Sequence, residues 1–197
     1  MLNDNRFVDE KIRLISKEKS ILDTGGGYRF QKWLKKYEPL FKDCDYKTFD
    51  NDSTTGADII GDIHNIPLED GSVDAVICSS VLEHVADPAQ AVKEMFRILK
   101  DNGKFFAYIP STYPYHAKKG HYQDYWRFFD GTIRMLFKEF SRVEIVKNGG
   151  YFYAISFFIP GRHKFGFLLD PLCRTLDNLF RTERRNTTLG YYVYAIK

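Results

Sequence analysis

Acids and glycines stand side by side at one early position of the sequence. Ile21 and Leu22 end a short apolar run, Asp23 follows them, and Gly25, Gly26 and Gly27 come one residue later. Glycine tolerates positive φ and lets a ligand approach the backbone closely. A glycine-rich turn between a strand and a helix also directs N–H groups at that ligand. The stretch therefore predicts a strand, a turn and a binding crevice.

Two further acids follow at the ends of later apolar runs. Asp50 comes 23 residues after Gly27, and Asp62 closes the run that contains Ile59 and Ile60. The first spacing is close to the interval at which an acid on the second strand reaches a ribose. One carboxylate can accept hydrogen bonds from both hydroxyls of a vicinal diol. Together the acids favour a nucleoside ligand.

Each acid also has a purely structural interpretation, and these alternatives remain open. Asp50 is part of an Asp-Asn-Asp sequence that suits a turn. Asp62 can cap a helix or loop, and Asp23 can anchor the glycine turn from behind. The glycine pattern itself departs from a dinucleotide fingerprint, because Phe30 stands where a third glycine would be expected. An acid-led loop of this kind favours an adenosine with a non-phosphate appendage.

Apolar runs and helical patterns alternate along the chain. Such alternation predicts an α/β fold, a doubly wound and mainly parallel Rossmann-like sheet with helices on both faces and an antiparallel last strand. The 3.6-residue pattern of 30–37 and the Asp87-Pro88 start signal are typical of helices. Strands are expected at 20–23, 46–49, 58–62, 73–79, 104–109, 142–147 and 189–196, and helices at 6–17, 30–37, 88–101 and 132–140.

The bulk properties predict one domain over residues 1–197, with a cofactor-binding half at 1–110 and a substrate-side half at 111–197. The net charge of +3 and the absence of a Lys/Arg block argue against nucleic acid. Three widely spaced cysteines suit neither a disulfide framework nor a zinc site, so we expect reduced thiols and no metal. The early residues lack an apolar signal segment and no run is long enough to span a bilayer, so we expect a cytoplasmic location.

Several linked motifs between residues 20 and 110 resemble the class I S-adenosylmethionine-dependent methyltransferases, in the branch called methyltransferase type 11. The resemblance rests on Ile-Leu-Asp-Thr-Gly-Gly-Gly at 21–27, Phe-Asp at 49–50 and the segment 61–76. It continues through Val-Leu-Glu-His-Val-Ala-Asp-Pro at 81–88 and Arg-Ile-Leu-Lys-Asp-Asn-Gly at 97–103. It implies that S-adenosyl-L-methionine is the cofactor. Arg29 stands where the family usually has another glycine.

The resemblance also implies individual roles. Gly25, Gly26 and Gly27 would form the loop under the methionine part, with Asp23 helping to hold that end directly or through water. Asp50 would hold the ribose hydroxyls, and Asp62 with the Ile63 backbone would meet the adenine. Ser79 would sit where the fourth strand opens onto the methionyl group. His84 belongs to a segment that follows this strand whatever the substrate, so a packing role is expected for it.

The substrate-side half carries titratable and aromatic side chains. Pro-x-x-x-Pro-x-His at 110–116 and Asp-Tyr-x-Arg-Phe at 124–128 are similar to a family subset in which these motifs flank the active-site mouth. Some of that subset is associated with bacterial cell-surface glycan pathways. His116 and His121 are near-neutral bases, and Asp124 could orient one of them. A packed aromatic lid is the structural alternative.

These observations predict methyl transfer to a small-molecule or glycan acceptor, at oxygen. The alternative is a protein that binds the cofactor without transfer activity and acts as a partner or scaffold. The apolar insert at about 151–180 is interrupted by Pro160 and Gly161, so it cannot span a membrane. Three roles remain open for it: a cap over the substrate pocket, a homodimer face, or a surface resting on a membrane.

Overall fold

The computed structural model describes residues 3–30 and 32–197, and its described strands form one seven-stranded sheet. The strand order is β3-β2-β1-β4-β5-β7-β6. The strands are β1 Ser20–Thr24, β2 Asp45–Asp50, β3 Ile59–Ile60, β4 Val73–Ser79, β5 Leu99–Pro110, β6 Arg142–Lys147 and β7 Gly190–Ile196. The α-helices are α1 Asn3–Ile15, α2 Pro88–Ile98, α3 Asp130–Leu136, α4 Tyr151–Ser156 and α5 Arg162–Leu179. Lys32–Phe41, Leu82–His84 and Thr182–Arg184 are 3₁₀ helices.

Six of these strands are parallel and the last one is antiparallel, as expected. β1 pairs in parallel with β2 and β4, and β4 pairs in parallel with β5. β7 inserts between β5 and β6 and pairs antiparallel with both. The predicted fold class is therefore confirmed. Because β1, β2 and β4 run in parallel, their carboxyl ends meet at one edge of the sheet, where ligands bind in such folds.

Neighbouring residues of the central strands point to opposite faces, and both faces are buried. Leu22, Val76 and Phe105 pack in one apolar cluster with α2 and α3. Ile21, Ala75 and Phe106 pack in a second cluster with α1 and the Lys32–Phe41 helix. This two-sided burial explains why the central strands are near-continuous apolar runs.

Two element boundaries differ from the expectation. The helix expected to run to about residue 101 ends at Ile98, because Leu99 already pairs with Val73 of β4. The turn residue Asn102, with φ of 62°, lies in an irregularity of β5 rather than at its start. The helix expected at 30–37 is a 3₁₀ helix, Lys32–Phe41; Pro39 within it has no N–H to donate.

The apolar insert folds as α4 and α5, which are separated at Pro160 and Gly161 as the sequence indicated. Asp177 of α5 is buried and accepts the backbone N–H groups of Gly150, Phe152 and Tyr153, at 2.8–3.1 Å. It thus caps the start of α4 from a different helix. Within the part of the chain that the structure describes, no helix combines the length and apolarity that crossing a membrane requires.

Candidate functional site

The glycine turn follows β1 at the expected edge of the sheet. Gly25 and Gly27 have φ of 69° and 49°, in the region that favours glycine. A Cβ on Gly25 would lie 2.3 Å from Cγ2 of Val81, so the turn is pressed against the chain that leaves β4. The Gly25 N–H also donates to the Phe49 carbonyl at 2.7 Å, which ties the turn to the end of β2.

Asp23 lies beneath this turn. Its carboxyl group is buried, and the Tyr46 hydroxyl donates to Oδ2 at 2.7 Å. A Cβ on Gly26 would lie 2.6 Å from the same oxygen. Burial raises the pKa of Asp23 to about 7, and the Tyr46 hydroxyl offsets part of that rise. The geometry matches the interpretation in which Asp23 anchors the turn from behind.

Arg29 and Phe30 complete the turn in a way that the sequence left unexplained. The Arg29 guanidinium donates two hydrogen bonds to Asp58, at 2.9 and 3.1 Å, just before β3. The next positive φ falls on Phe30, at 54°, and not on Arg29. Phe30 stacks on Tyr46 with ring centroids 4.4 Å apart. The missing family glycine therefore stands at a position whose backbone does not require glycine.

A cavity of about 910 Å³ opens beside the turn and brings together most of the predicted residues. Its lining includes Gly25, Gly27, Asp50, Asp62, Ile63, Ser79, His116 and His121. Asp23 and Gly26 are not among the described residues that line it. None of the described residues of 151–180 is part of this lining.

Asp50, Asp62 and Ser79 each hold a defined position on the cavity wall. Asp50 Oδ1 accepts the Asp52 N–H at 3.0 Å, which fixes the carboxylate at the end of β2. Asp62 accepts the His64 N–H at 2.9 Å, and this bond lowers the pKa of the Asp62 carboxyl. Ser79 Oγ accepts the Trp33 indole N–H at 3.2 Å. The lowered pKa favours the ionised form of the Asp62 carboxyl at the cavity wall.

Asp124 orients His116 from behind the cavity wall, since His116 is among the described lining residues and Asp124 is not. The Asp124 side chain is buried, and Oδ2 lies 3.2 Å from His116 Nδ1. The Pro114 carbonyl lies 3.1 Å from the same nitrogen. Since both partners are acceptors, Nδ1 carries the proton and Nε2 presents its lone pair. Arg127 binds both carboxylate oxygens, and this contact lowers the pKa of Asp124 to about 2.

His121 has a different partner. Its Nδ1 lies 3.1 Å from Asp52 Oδ2, and 42% of its side chain is exposed. Hydrogen bonds from Thr54 and His121 lower the pKa of Asp52 to about 2. Asp52 was not predicted as a site residue, because only the fold brings the 50s and 120s segments together.

The sequence interpretation also missed Glu83 and gave His84 only a packing role. Both follow β4 and line the cavity, with side chains 1% and 14% exposed. His84 Nδ1 lies 2.6 Å from the Gln123 carbonyl, so its Nε2 presents a lone pair. Burial lowers the pKa of His84, which favours the neutral ring. The adjacent acid and histidine, followed by a second histidine after β5, were the available signal.

Comparisons with known proteins agree with this architecture. A family model described as "Methyltransferase domain" matches residues 38–107. A protein of Mycolicibacterium smegmatis described as "Probable S-adenosylmethionine-dependent methyltransferase" is 43% identical over 51 residues, which are 26% of this chain and 20% of that protein. The matched segments span 13% to 40% of the lengths of the curated relatives.

Solved structures show the same fold over nearly the whole chain. A SAM-dependent methyltransferase from Archaeoglobus fulgidus superposes with a TM-score of 0.62 at 14% identity, covering 98% of this chain and 94% of that one. One from Methanosarcina mazei gives 0.52 at 13% identity, covering 91% and 92%. The fold is that of the class I methyltransferases. The predicted resemblance to the class I S-adenosylmethionine-dependent methyltransferases is confirmed by the matching family model, by the relative and by the shared fold.

The cofactor of this class, S-adenosyl-L-methionine, fits the charges of the cavity. The described lining contains four carboxylates, of Asp50, Asp52, Asp62 and Glu83, and Lys118 as its one lysine or arginine. Such a wall repels phosphates and suits a ligand with a sulfonium and an ammonium group. The volume is also within the range of small-molecule sites.

Proposed function

We propose that the protein transfers a methyl group from S-adenosylmethionine to a hydroxyl of a small-molecule or glycan acceptor. The observation that carries this proposal is the shared cavity. One of its walls holds the glycine turn and the strand-end acids, and the other holds His84, His116, His121 and several tyrosines. A cofactor site and an acceptor site thus adjoin without an intervening wall.

The cofactor-side roles follow from the positions of the side chains. Asp50 would accept the ribose hydroxyls, and Asp62 with the Ile63 backbone would meet the adenine. Gly25 and Gly27 would lie under the methionyl part, next to Ser79. Asp23 would act through the turn that it supports, since its carboxyl group lies beneath Gly26 and binds Tyr46.

The acceptor-side chemistry requires positioning and removal of one proton. S-adenosylmethionine, when bound, supplies a methyl group on a sulfonium whose sulfur leaves as a neutral thioether. The acceptor oxygen would form the new O–CH₃ bond as the C–S bond breaks, and the electron pair of that bond would stay on sulfur. His116, oriented by Asp124, and His121 are the bases within the cavity that can take the hydroxyl proton. Holding the two reactants in line supplies much of the rate.

Titration calorimetry with S-adenosylhomocysteine tests the cofactor half of the proposal. We expect saturable binding by the unaltered protein and an affinity about tenfold lower or more for Asp50→Asn, because a charge-assisted hydrogen bond contributes about 1.5–3 kcal/mol. Asp43→Asn is the matched control, since Asp43 is exposed and lies outside the described cavity lining. Absence of binding by the unaltered protein would refute the proposal.

Transfer itself is tested with radiolabelled S-adenosylmethionine and a panel of alcohols, phenols and glycans. We expect label to move to at least one hydroxyl acceptor and His116→Ala to reduce the rate. Cofactor binding without transfer to any member of the panel would favour the alternative of a binding protein that acts as a partner or scaffold.

A further inference from the structure

Three side-chain atoms with lone pairs converge at the acceptor side of the cavity. They are Glu83 Oε1, His84 Nε2 and His116 Nε2, and they all lie within 4.8 Å of one another. Glu83 Oε1 is 3.6 Å from His84 Nε2 and 3.9 Å from His116 Nε2. These separations exceed the 2.7–3.2 Å of an N–H···O hydrogen bond. The atoms therefore face one another at the separation of an ion pair rather than of a hydrogen bond.

The spacing suits ligands of a common ion. Nitrogen and oxygen ligands lie about 2.0–2.2 Å from a divalent transition metal, so two of them can be up to about 4.2 Å apart. Both distances from Glu83 fall inside that limit. Two imidazoles and one carboxylate are also a ligand set used for zinc and for non-haem iron, with the other coordination positions open.

Both rings are already held in the form that binds metals. Each has an acceptor at Nδ1: the Gln123 carbonyl for His84, and the Pro114 carbonyl with the Asp124 carboxylate for His116. Such partners fix the tautomer and orient metal-binding histidines in known sites.

The positions of these groups are supported from outside the cluster. Arg127 holds Asp124 through two hydrogen bonds, and the Glu83 carbonyl accepts the Tyr125 N–H at 2.8 Å. The end of β4 and the 110–128 segment are thereby fastened together. A preorganised arrangement of this kind is what a specific ion site needs.

We propose that Glu83, His84 and His116 form a binding site for one divalent transition-metal ion, with its open positions facing the acceptor. This proposal departs from the sequence-based expectation of no metal. The part that concerns the acceptor rests on the proposed function: an acceptor hydroxyl that coordinates the ion loses its proton to water at the cavity mouth and then receives the methyl group. His116 then acts as a ligand, and the bond changes are those given above.

Cobalt binding tests the site directly. Tag-free protein is treated with a chelator, dialysed and titrated with Co²⁺, and visible absorption is recorded. We expect one equivalent to bind with the bands of a nitrogen- and oxygen-ligated ion. Glu83→Gln and His116→Gln should each weaken binding tenfold or more. His163→Ala is the matched control, because His163 is exposed on α5, and it should bind like the unaltered protein.

S-adenosylhomocysteine binding in the presence of chelator separates the two proposals. Unchanged affinity in both variants shows that the cavity is intact, so a loss of cobalt binding is then due to the ligands. If Glu83→Gln does not fold, the metal site is tested with His116→Gln alone, because the His116 side chain is partly exposed. No saturable cobalt binding by the unaltered protein, or equal binding by all variants, overturns the metal site. Loss of S-adenosylhomocysteine binding by the unaltered protein overturns only the proposed function.

Discussion

The Asp23 carboxyl group, which lies beneath the glycine turn, makes the stability of the fold depend on pH. Burial raises its pKa from 3.8 to about 7, while Tyr46 keeps one oxygen hydrogen-bonded. Between those two values the folded chain holds a proton that the unfolded chain has released. Unfolding therefore releases a proton, and the stability that this proton contributes is lost as the pH rises toward 7.

Replacing this carboxyl group should flatten the pH profile of stability. Asp23→Asn keeps an acceptor for the Tyr46 hydroxyl but has no proton to release. We expect the difference in unfolding free energy, variant minus unaltered protein, to increase by up to about 1.4 kcal/mol per pH unit between pH 5 and 7. Urea denaturation at several pH values measures it. Asp101→Asn, at an exposed position, is the control, and its unfolding free energy should change with pH as that of the unaltered protein does.

Residue identity alone was enough to predict part of the cavity lining. Asp50, Asp62, Gly25 and Gly27 all line the cavity, because parallel strands end at a common edge and spacing along the chain becomes proximity there. Their roles toward the cofactor stay predictions. The sequence also indicated Asp124 as a partner for one of the two histidines, and the structure pairs it with His116. The partner of His121 could not be predicted, because Asp52 reaches it only after the 110–128 segment packs over the ends of β4 and β2. The convergence of Glu83, His84 and His116 depends on the same packing.

At the scale of elements, α4 depends on α5 for its start. The N-terminus of a helix leaves backbone N–H groups without partners in the helix. No side-chain cap comes from Gly150, so Asp177 of α5 supplies the acceptor, and Thr182 also donates its hydroxyl to Asp177. A Cβ on Gly150 would lie 2.3 Å from the Thr182 hydroxyl oxygen, so glycine is needed there.

Removing this cap should separate the two helices. Asp177→Ala leaves the buried N–H groups of Gly150 and Tyr153 without their acceptor, and hydrogen bonds to a charged group contribute about 1.5–3 kcal/mol each. We expect a loss of about 3 kcal/mol or more in unfolding free energy and faster hydrogen exchange at 150–156. Asn178→Ala, an exposed neighbour on α5, should change neither. Equal effects of the two substitutions would contradict the capping role.

The observed element boundaries agree with the predicted ones where the sequence signal for the boundary is local. Asp87 caps α2 as expected, with Oδ1 accepting the Ala89 and Gln90 N–H groups at 3.0 Å. The end of α2 was misplaced because Leu99 is drawn into pairing with Val73, which is 26 positions away in the chain. Helix propensity could not predict the end of α2, because a tertiary contact decides where this helix ends.

At the scale of the whole molecule, α1 is fastened to α5 by a buried ion pair. Arg174 Nη1 lies 2.6 Å from Asp4 Oδ2, with side chains 15% and 5% exposed. Arg174 also lies over the Tyr153 ring, 4.0 Å from its centroid. The contact joins segments 170 positions apart, so it depends on the complete fold.

Breaking this pair should destabilise the molecule much more than breaking a surface pair. Asp4→Asn leaves the Arg174 charge buried without its counter-ion, which typically costs about 3–5 kcal/mol. The control is Asp9→Asn, whose partner Arg13 is 56% exposed, and we expect less than about 1 kcal/mol there. Urea denaturation of both variants measures the difference. A similar small cost for both would show that the Arg174 charge is solvated another way.

The insertion of β7 between β5 and β6 also governs how the chain can fold. β7 is the last described strand in sequence, yet it pairs on both sides. Its Ile196 pairs with Lys104 of β5, and its Tyr191 pairs with Lys147 of β6. Until it arrives, β5 presents an open edge and β6 has no neighbour in the sheet. During synthesis the nascent chain therefore carries a β5 strand that is unpaired on one side until β7 emerges, when contacts of high sequence separation close the sheet in a late step.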